Sequence, residues 1–146
     1  MLHKLKDLFK SFESNDVHYL VIGGIAAGIY GVPRNTYDLD ILIEAIPENA
    51  DRLLKSLSEA GFGTASLIDA PTLLKNEVTI FKDYVRVDVQ TRTPGIRFED
   101  AWPRRASKAY QGQSFLVVCR EDLIASKRAA GRPVDLEDVR LLELDQ

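Results

Sequence analysis

Two aspartates separated by one leucine, in the run Tyr37-Asp38-Leu39-Asp40-Ile41-Leu42-Ile43, constrain this chain more than any other feature. In an extended segment side chains alternate between faces, so Asp38 and Asp40 point one way while Leu39 and Ile41 point into a core. Aspartate is disfavoured in strands, and two carboxylates side by side repel each other and are costly to bury unpaired. A hard divalent cation removes that cost, because Mg²⁺ takes oxygen ligands, usually one or two carboxylates plus substrate phosphates. Upstream, the apolar run Tyr19-Leu20-Val21-Ile22 ends at Gly23-Gly24. Glycines between a strand and a helix allow a tight turn and let a phosphate approach the unpaired N–H groups of the helix start. The first expectation is therefore a metal site beside a phosphate-binding turn.

A third carboxylate completes the pattern. Val85, Val87 and Val89 alternate with Arg86, Asp88 and Gln90, which gives one core face and one polar face with Asp88 at its centre. Three carboxylates from neighbouring strands can hold two divalent ions ~3.5–4 Å apart, an arrangement that activates a hydroxyl and neutralises a leaving pyrophosphate.

The surrounding elements read as α/β. Leu2, Leu5, Leu8, Phe9 and Phe12 recur at helical spacing over residues 2 to 14. Strands are expected at 17–22, 36–44, 78–81, 84–90 and on either side of Gly112. Helices are expected at 25–30, from Pro47 to Ala60, and at 121–130, closed by Gly131 and Pro133, with short helical stretches at 71–75 and 97–107. Asp135 is expected to cap a final helix with Asp138 three residues on, Arg128 and Arg132 pairing with them. The expected fold is a small mixed sheet of roughly four to five strands flanked by helices, one domain over residues 1–146 with a helical tail from about 120.

Composition excludes several classes. No apolar run approaches the ~20 residues of a membrane span, and the N-terminus lacks a signal peptide's continuous apolar stretch. A single cysteine, Cys119, forms no internal disulfide, and one cysteine with two separated histidines argues against zinc. A cytoplasmic location is the expectation. The net charge of −3 gives no bulk attraction to nucleic acid, and the basic residues between 86 and 108 read as a solvated face.

The run from Val21 to Leu42 resembles the DNA polymerase β-like nucleotidyltransferase superfamily, whose signature is a hydrophobic residue, Gly-Gly or Gly-Ser, a short spacer, then Asp-x-Asp or Asp-x-Glu. The spacer here, Ile25 to Tyr37, is thirteen residues, at the long end. The stretch Arg34 to Asp40 is most similar to small bacterial members, including AbiEii-type toxins and stand-alone domains. Val87-Asp88-Val89 matches the family's third carboxylate, and Glu121 to Asp138 resembles the C-terminal helical region of these members.

The resemblance implies Mg²⁺ or Mn²⁺ held by Asp38, Asp40 and Asp88, with Gly23 and Gly24 cradling phosphates. Lys127 reaching the triphosphate and Arg34 binding phosphate are weighed against a solvated lysine and a structural ion pair. The implied reaction moves a nucleoside monophosphate from a nucleoside triphosphate such as ATP to a hydroxyl of RNA, protein or a small molecule, in a toxin–antitoxin setting. A second copy of the chain or a partner protein would complete acceptor recognition. Gly24 stands where many active members carry a phosphate-binding serine. The alternative is a non-catalytic, antitoxin-like nucleotide- or partner-binding module on the same fold. Among the remaining residues, Thr36 is expected to start a strand, His18 to sit at a strand edge, and Trp102, Tyr30 and Tyr37 to pack. Two arrangements would contradict the enzyme reading: Asp88 far from the first pair, or a basic side chain permanently plugging the space among the three.

Overall fold

The computed structural model describes residues 1–144; the last two positions of the expected tail, 145 and 146, lie outside the described residues. A single mixed sheet carries six strands, β1 (Tyr19–Ile22), β2 (Asp38–Ile43), β3 (Val78–Lys82), β4 (Arg86–Gln90), β5 (Ala106–Tyr110) and β6 (Gln113–Val117), in the order β3-β4-β2-β1-β6-β5. β2 runs parallel to β4 and β1 parallel to β6, while the β1–β2, β3–β4 and β5–β6 pairs are antiparallel. The helices are α1 (Lys6–Ser14), α2 (Gly23–Ile29), α3 (Pro47–Glu59), α4 (Ala70–Lys75), α5 (Phe98–Ala101), α6 (Arg120–Ala130) and α7 (Pro133–Leu144).

The sheet has six strands where four to five were expected. Both edge strands fall in segments read as strands, 78–81 and the stretch before Gly112, although they carry little apolar signal: β5 buries none of its residues and β3 buries only Phe81. An edge strand faces water on one side of its ladder, so the alternation that marks a core strand is absent. The expected helix over 97–107 is shorter, because α5 stops at Ala101. A 3₁₀ turn at Trp102–Arg104 then leads into β5; Pro103 has no N–H to continue an α-helical ladder. The first expected helix likewise divides into a 3₁₀ turn, Leu2–Lys4, and α1.

The apolar face of the central strands matches the sequence pattern. Leu39, Ile41 and Ile43 of β2 and Val87 and Val89 of β4 are buried. They join one core with Leu8, Phe9 and Phe12 of α1 and Leu53 and Leu57 of α3. Phe9 stacks on Phe115 of β6 at 4.7 Å and on Tyr19 of β1 at 6.2 Å, tying α1 to the sheet through aromatic contacts. Among the described residues no helix is long and apolar enough to cross a membrane.

One buried polar side chain aligns the ends of the two strands that frame the candidate site. Asn49 of α3, fully buried, accepts from the His18 N–H at 2.8 Å and donates to the carbonyls of His18 and Glu44, both at 2.9 Å. It thereby holds the residues just before β1 and just after β2 against α3. His18, just before β1 at the strand edge expected for it, stacks on Trp102 at 4.6 Å; Trp102 lies outside the core expected for it, half-buried between His18 and Arg105. We predict that Asn49→Ala, which removes the amide partner of the His18 N–H and the Glu44 carbonyl and leaves the His18 carbonyl only the Glu44 N–H, lowers stability by about 2–4 kcal/mol in urea unfolding; a loss below about 1 kcal/mol would show that water replaces the amide.

Candidate active site

Gly23 carries φ +70°, the left-handed region that costs glycine nothing. A Cβ built there would lie 2.5 Å from Asp40 Oδ2. The absence of a side chain at 23 is thus what lets the Asp40 carboxylate lie against the elbow between β1 and α2. Gly24 is explained differently. A Cβ there would collide with the methyl of Thr36, which packs into the space. A serine at 24 has no room while Thr36 keeps this position, so Gly24 and Thr36 form a matched pair. β2 begins at Asp38, which leaves Thr36 in the preceding loop, not at the strand start expected for it.

The strand register brings the three carboxylates together. β2 and β4 pair with Asp40 opposite Asp88 and Asp38 opposite Arg86, and adjacent strands lie about 4.8 Å apart. All three aspartates therefore share one face, and all three wall a cleft of about 530 Å³. Gly23, Arg86, Gln90 and Thr93 complete one side of the cleft, with Ser126 and Lys127 of α6, Arg132 and Asp135 on the other. A smaller hollow of about 200 Å³ beside Phe12 and Trp102 is elsewhere and holds none of these groups.

Crowding of negative charge shows in the titration of Asp40. Burial, then the charges of Asp88 and Asp38, push its carboxyl up from the usual 3.8 to about 7, and the attraction of Arg86 and Lys127 only partly offsets this. The nearest compensation comes from Arg86. Its Nε donates to Asp88 Oδ1 at 2.8 Å and its Nη2 to Asp88 Oδ2 at 3.1 Å, while Nε lies 3.8 Å from Asp38 Oδ2. A basic side chain thus stands among the carboxylates, but it is 40% exposed and open to solvent. Among the described residues no group of three or more His, Cys, Asp or Glu is drawn in closely enough to hold an ion. The donor chemistry nevertheless fits a hard cation: three carboxylates on one face, and an elbow that a Cβ would fill.

Opposite the aspartates lies a buried ion cluster. Lys127, expected as either a solvated or a phosphate-reaching lysine, is 7% exposed, with Nζ 2.8 Å from Asp138 Oδ2 and 3.7 Å from Asp135 Oδ1. Arg34 pairs with Asp138 as well, and it does not line the cleft, so the structure places it with the ion cluster and not with the carboxylate trio. α7 begins at Pro133, which makes Asp135 a first-turn residue and not the cap itself. Its carboxylate accepts from the Arg132 backbone N–H at 3.3 Å and from Arg132 Nε at 2.7 Å. The Arg132 guanidinium holds Asp135 below the usual carboxylate range. Arg128 pairs with Glu143, not with either aspartate. Tyr30 packs as expected, donating its hydroxyl to the Val118 carbonyl at 2.8 Å, but Tyr37 is 78% exposed because it precedes β2 in the loop.

Arg86 and Arg132 are the cleft residues that sequence reasoning left in the background. The signal for Arg86 was its position two residues before Asp88 on the same polar face. Arg132 was expected only as a partner of the tail aspartates, which its pair with Asp135 bears out; its place on the cleft had no signal in the sequence.

A mixed sheet with paired carboxylates facing an elbow glycine, backed by a helical ion cluster, defines a nucleotidyltransferase fold. The chain belongs to the family described as nucleotidyltransferase of unknown function (DUF6036), whose profile matches residues 2–145. A solved structure from Thermotoga maritima, provisionally named a nucleotidyltransferase, superposes with a TM-score of 0.62 at 16% identity, over 99% of this chain and 93% of that one. An antigenic nucleotidyltransferase-like protein from Paracoccidioides brasiliensis superposes with a TM-score of 0.57 at 17% identity, over 94% of this chain and 72% of that one. At these identities the superpositions speak to the fold. No curated protein matches the sequence.

The raised Asp40 carboxyl gives a pH prediction for the metal-free protein. Its proton is held more tightly in the folded state, so ionising it costs stability as pH rises from about 4 to about 7. Asp40→Asn keeps the shape and removes that cost. The variant should exceed the parent by about 2–4 kcal/mol at pH 8 in chelator, and the gap should close as pH falls towards 4. Thermal unfolding across this range is the check, and a gap independent of pH would contradict the assignment.

Proposed function

We propose that the chain transfers a nucleoside monophosphate from a nucleoside triphosphate to an acceptor hydroxyl, releasing pyrophosphate. The observation that carries this reading is the register pairing of Asp40 with Asp88, with Asp38 on the same face and Gly23 against Asp40. Chemistry of this type rests on positioning and charge neutralisation, so few protein groups are required.

Asp38 and Asp40 would hold Mg²⁺ or Mn²⁺, with Asp88 completing a second position; the bound cations would neutralise the phosphates and acidify the attacking hydroxyl. The residues of the chain do the rest. Gly23 lines the cleft and its lack of a side chain lets Asp40 lie against the elbow, so the phosphate chain would run past that carboxylate and its cation. Arg132 offers a half-free guanidinium at the opposite lip of the cleft. Lys127 supplies positive potential from within its ion cluster, because both of its aspartates are already engaged by arginines. Asp88 stands beside the acceptor and takes the hydroxyl proton as the oxygen bonds to the α-phosphorus; the bond to the leaving pyrophosphate breaks on the opposite side.

The Arg86–Asp88 contact is the observation that favours the second reading, a module that binds nucleotide or a partner protein without turnover, as an antitoxin would. The two readings separate in one experiment. The protein is incubated with labelled triphosphates, Mg²⁺ or Mn²⁺ and an extract, and the labelled product is identified as RNA, protein or small molecule. Transfer is expected, and Asp38→Ala, Asp40→Ala and Asp88→Asn should each lower it by about a thousandfold or more with the circular dichroism of the parent retained. A variant that keeps full activity would remove its residue from the catalytic set, and the absence of any labelled product with every triphosphate would favour the binding module.

A further inference from the structure

We propose that Arg86 is an internal cation that occupies the acceptor-side half of the site and must be displaced before Asp88 can join in holding a second divalent ion or take an acceptor proton, an inference that rests on the reading of the three aspartates as the cation site. The geometry is specific. Arg86 is the register partner of Asp38 and lies two residues before Asp88 on the same strand face, so its side chain spans the two outer members of the trio. It grips Asp88 through both Nε and Nη2 and stands 3.8 Å from Asp38. A bidentate guanidinium–carboxylate fork of this kind is directional and charge-assisted. Asp88 is only 13% exposed and so has little water to turn to when its partner leaves, whereas Arg86 is 40% exposed with a long stem reaching to solvent. The arginine is the mobile member of the pair and the carboxylate the fixed one.

The charge balance gives the arrangement its consequence. With all three ionised, three carboxylates and one guanidinium leave two net negative charges on this wall of the cleft, the charge of one divalent ion. Across the cleft Lys127, Arg34 and Arg132 outnumber Asp135 and Asp138 by one positive charge, which stands on the other wall and does not occupy the three carboxylates. One ion can therefore settle near Asp38 and Asp40 while Arg86 stays on Asp88. Asp88 becomes available to a second ion, or to an acceptor proton, only after the guanidinium swings away, and a triphosphate in the same cleft offers it an alternative partner. Arg86 thus acts as a positioning residue: it keeps Asp88 engaged until nucleotide arrives and makes the second cation position dependent on that arrival.

The test reads cation affinity, not turnover. Mn²⁺ is titrated by electron paramagnetic resonance into the full chain without nucleotide, comparing the parent with Arg86→Gln, Arg86→Lys and Asp40→Asn. Arg86→Gln should bind Mn²⁺ about tenfold more tightly, or gain a second bound ion, because a competing charge has been removed. Arg86→Lys, which keeps the charge but loses the fork, should fall between the two. Arg86→Gln affinity and stoichiometry equal to the parent's would overturn the inference. Asp40→Asn tells that failure from failure of the site itself: weakened Mn²⁺ binding in that variant keeps the cation site and rejects only the role of Arg86. Mn²⁺ binding unchanged in Asp40→Asn and both Arg86 variants would reject both. If Arg86→Gln fails to fold, Arg86→Lys carries the comparison, with unchanged affinity again counting against the proposal.

Discussion

The register between β2 and β4 is the constraint on which the site depends. Parallel pairing sets Asp40 directly beside Asp88, with Asp38 two residues along the same face. A slip of one residue would turn Leu39 and Val87 outward and bury the carboxylates in the core. That outcome is prevented by the five apolar residues on the reverse face, Leu39, Ile41, Ile43, Val87 and Val89, each essentially inaccessible to solvent. The apolar core therefore holds three like charges together. Burial first, and then repulsion from Asp88 and Asp38, push the Asp40 carboxyl up to about 7.

The rest of the molecule responds to that concentration of charge. Gly23 leaves room for Asp40 against the elbow, and Arg86 supplies a local cation. On the opposite wall the charges are arranged in the reverse sense: the buried Asp135 and Asp138 are surrounded by Lys127, Arg34 and Arg132. Breaking a buried pair by removing one partner commonly costs several kcal/mol, which explains why the cluster is complete on every side. One wall is thus short of positive charge and the other carries one in excess, with a cleft of about 530 Å³ between them.

Much of this was legible in the sequence, for reasons that differ by element. The strict alternation in Val85 to Gln90 fixed which residues of β4 face the core, and Asp-Leu-Asp did the same for β2. Those patterns are properties of single strands, so they survive without knowledge of the partners. The edges were harder: β5 has no buried residue, and its strand identity comes from pairing with β6. Pairings across long separations were hidden as well. Arg34 meets Asp138 over more than a hundred residues, and no local signal distinguishes that from a pair with a strand carboxylate. Lys127 read as surface because a helical lysine usually is; its burial follows from α7 packing back over α6. The missing serine at 24 read as a lost phosphate contact, whereas the structure shows Thr36 filling the space.

The most direct measurement of the central claim is a crystal of the full chain grown with Mn²⁺ and a non-hydrolysable nucleoside triphosphate, with anomalous scattering recorded at the manganese edge. The account predicts anomalous peaks within coordination distance of Asp38 and Asp40, the triphosphate along the Gly23 elbow, and the Arg86 guanidinium turned away from Asp88. Manganese and triphosphate bound elsewhere, with Arg86 still on Asp88, would contradict it.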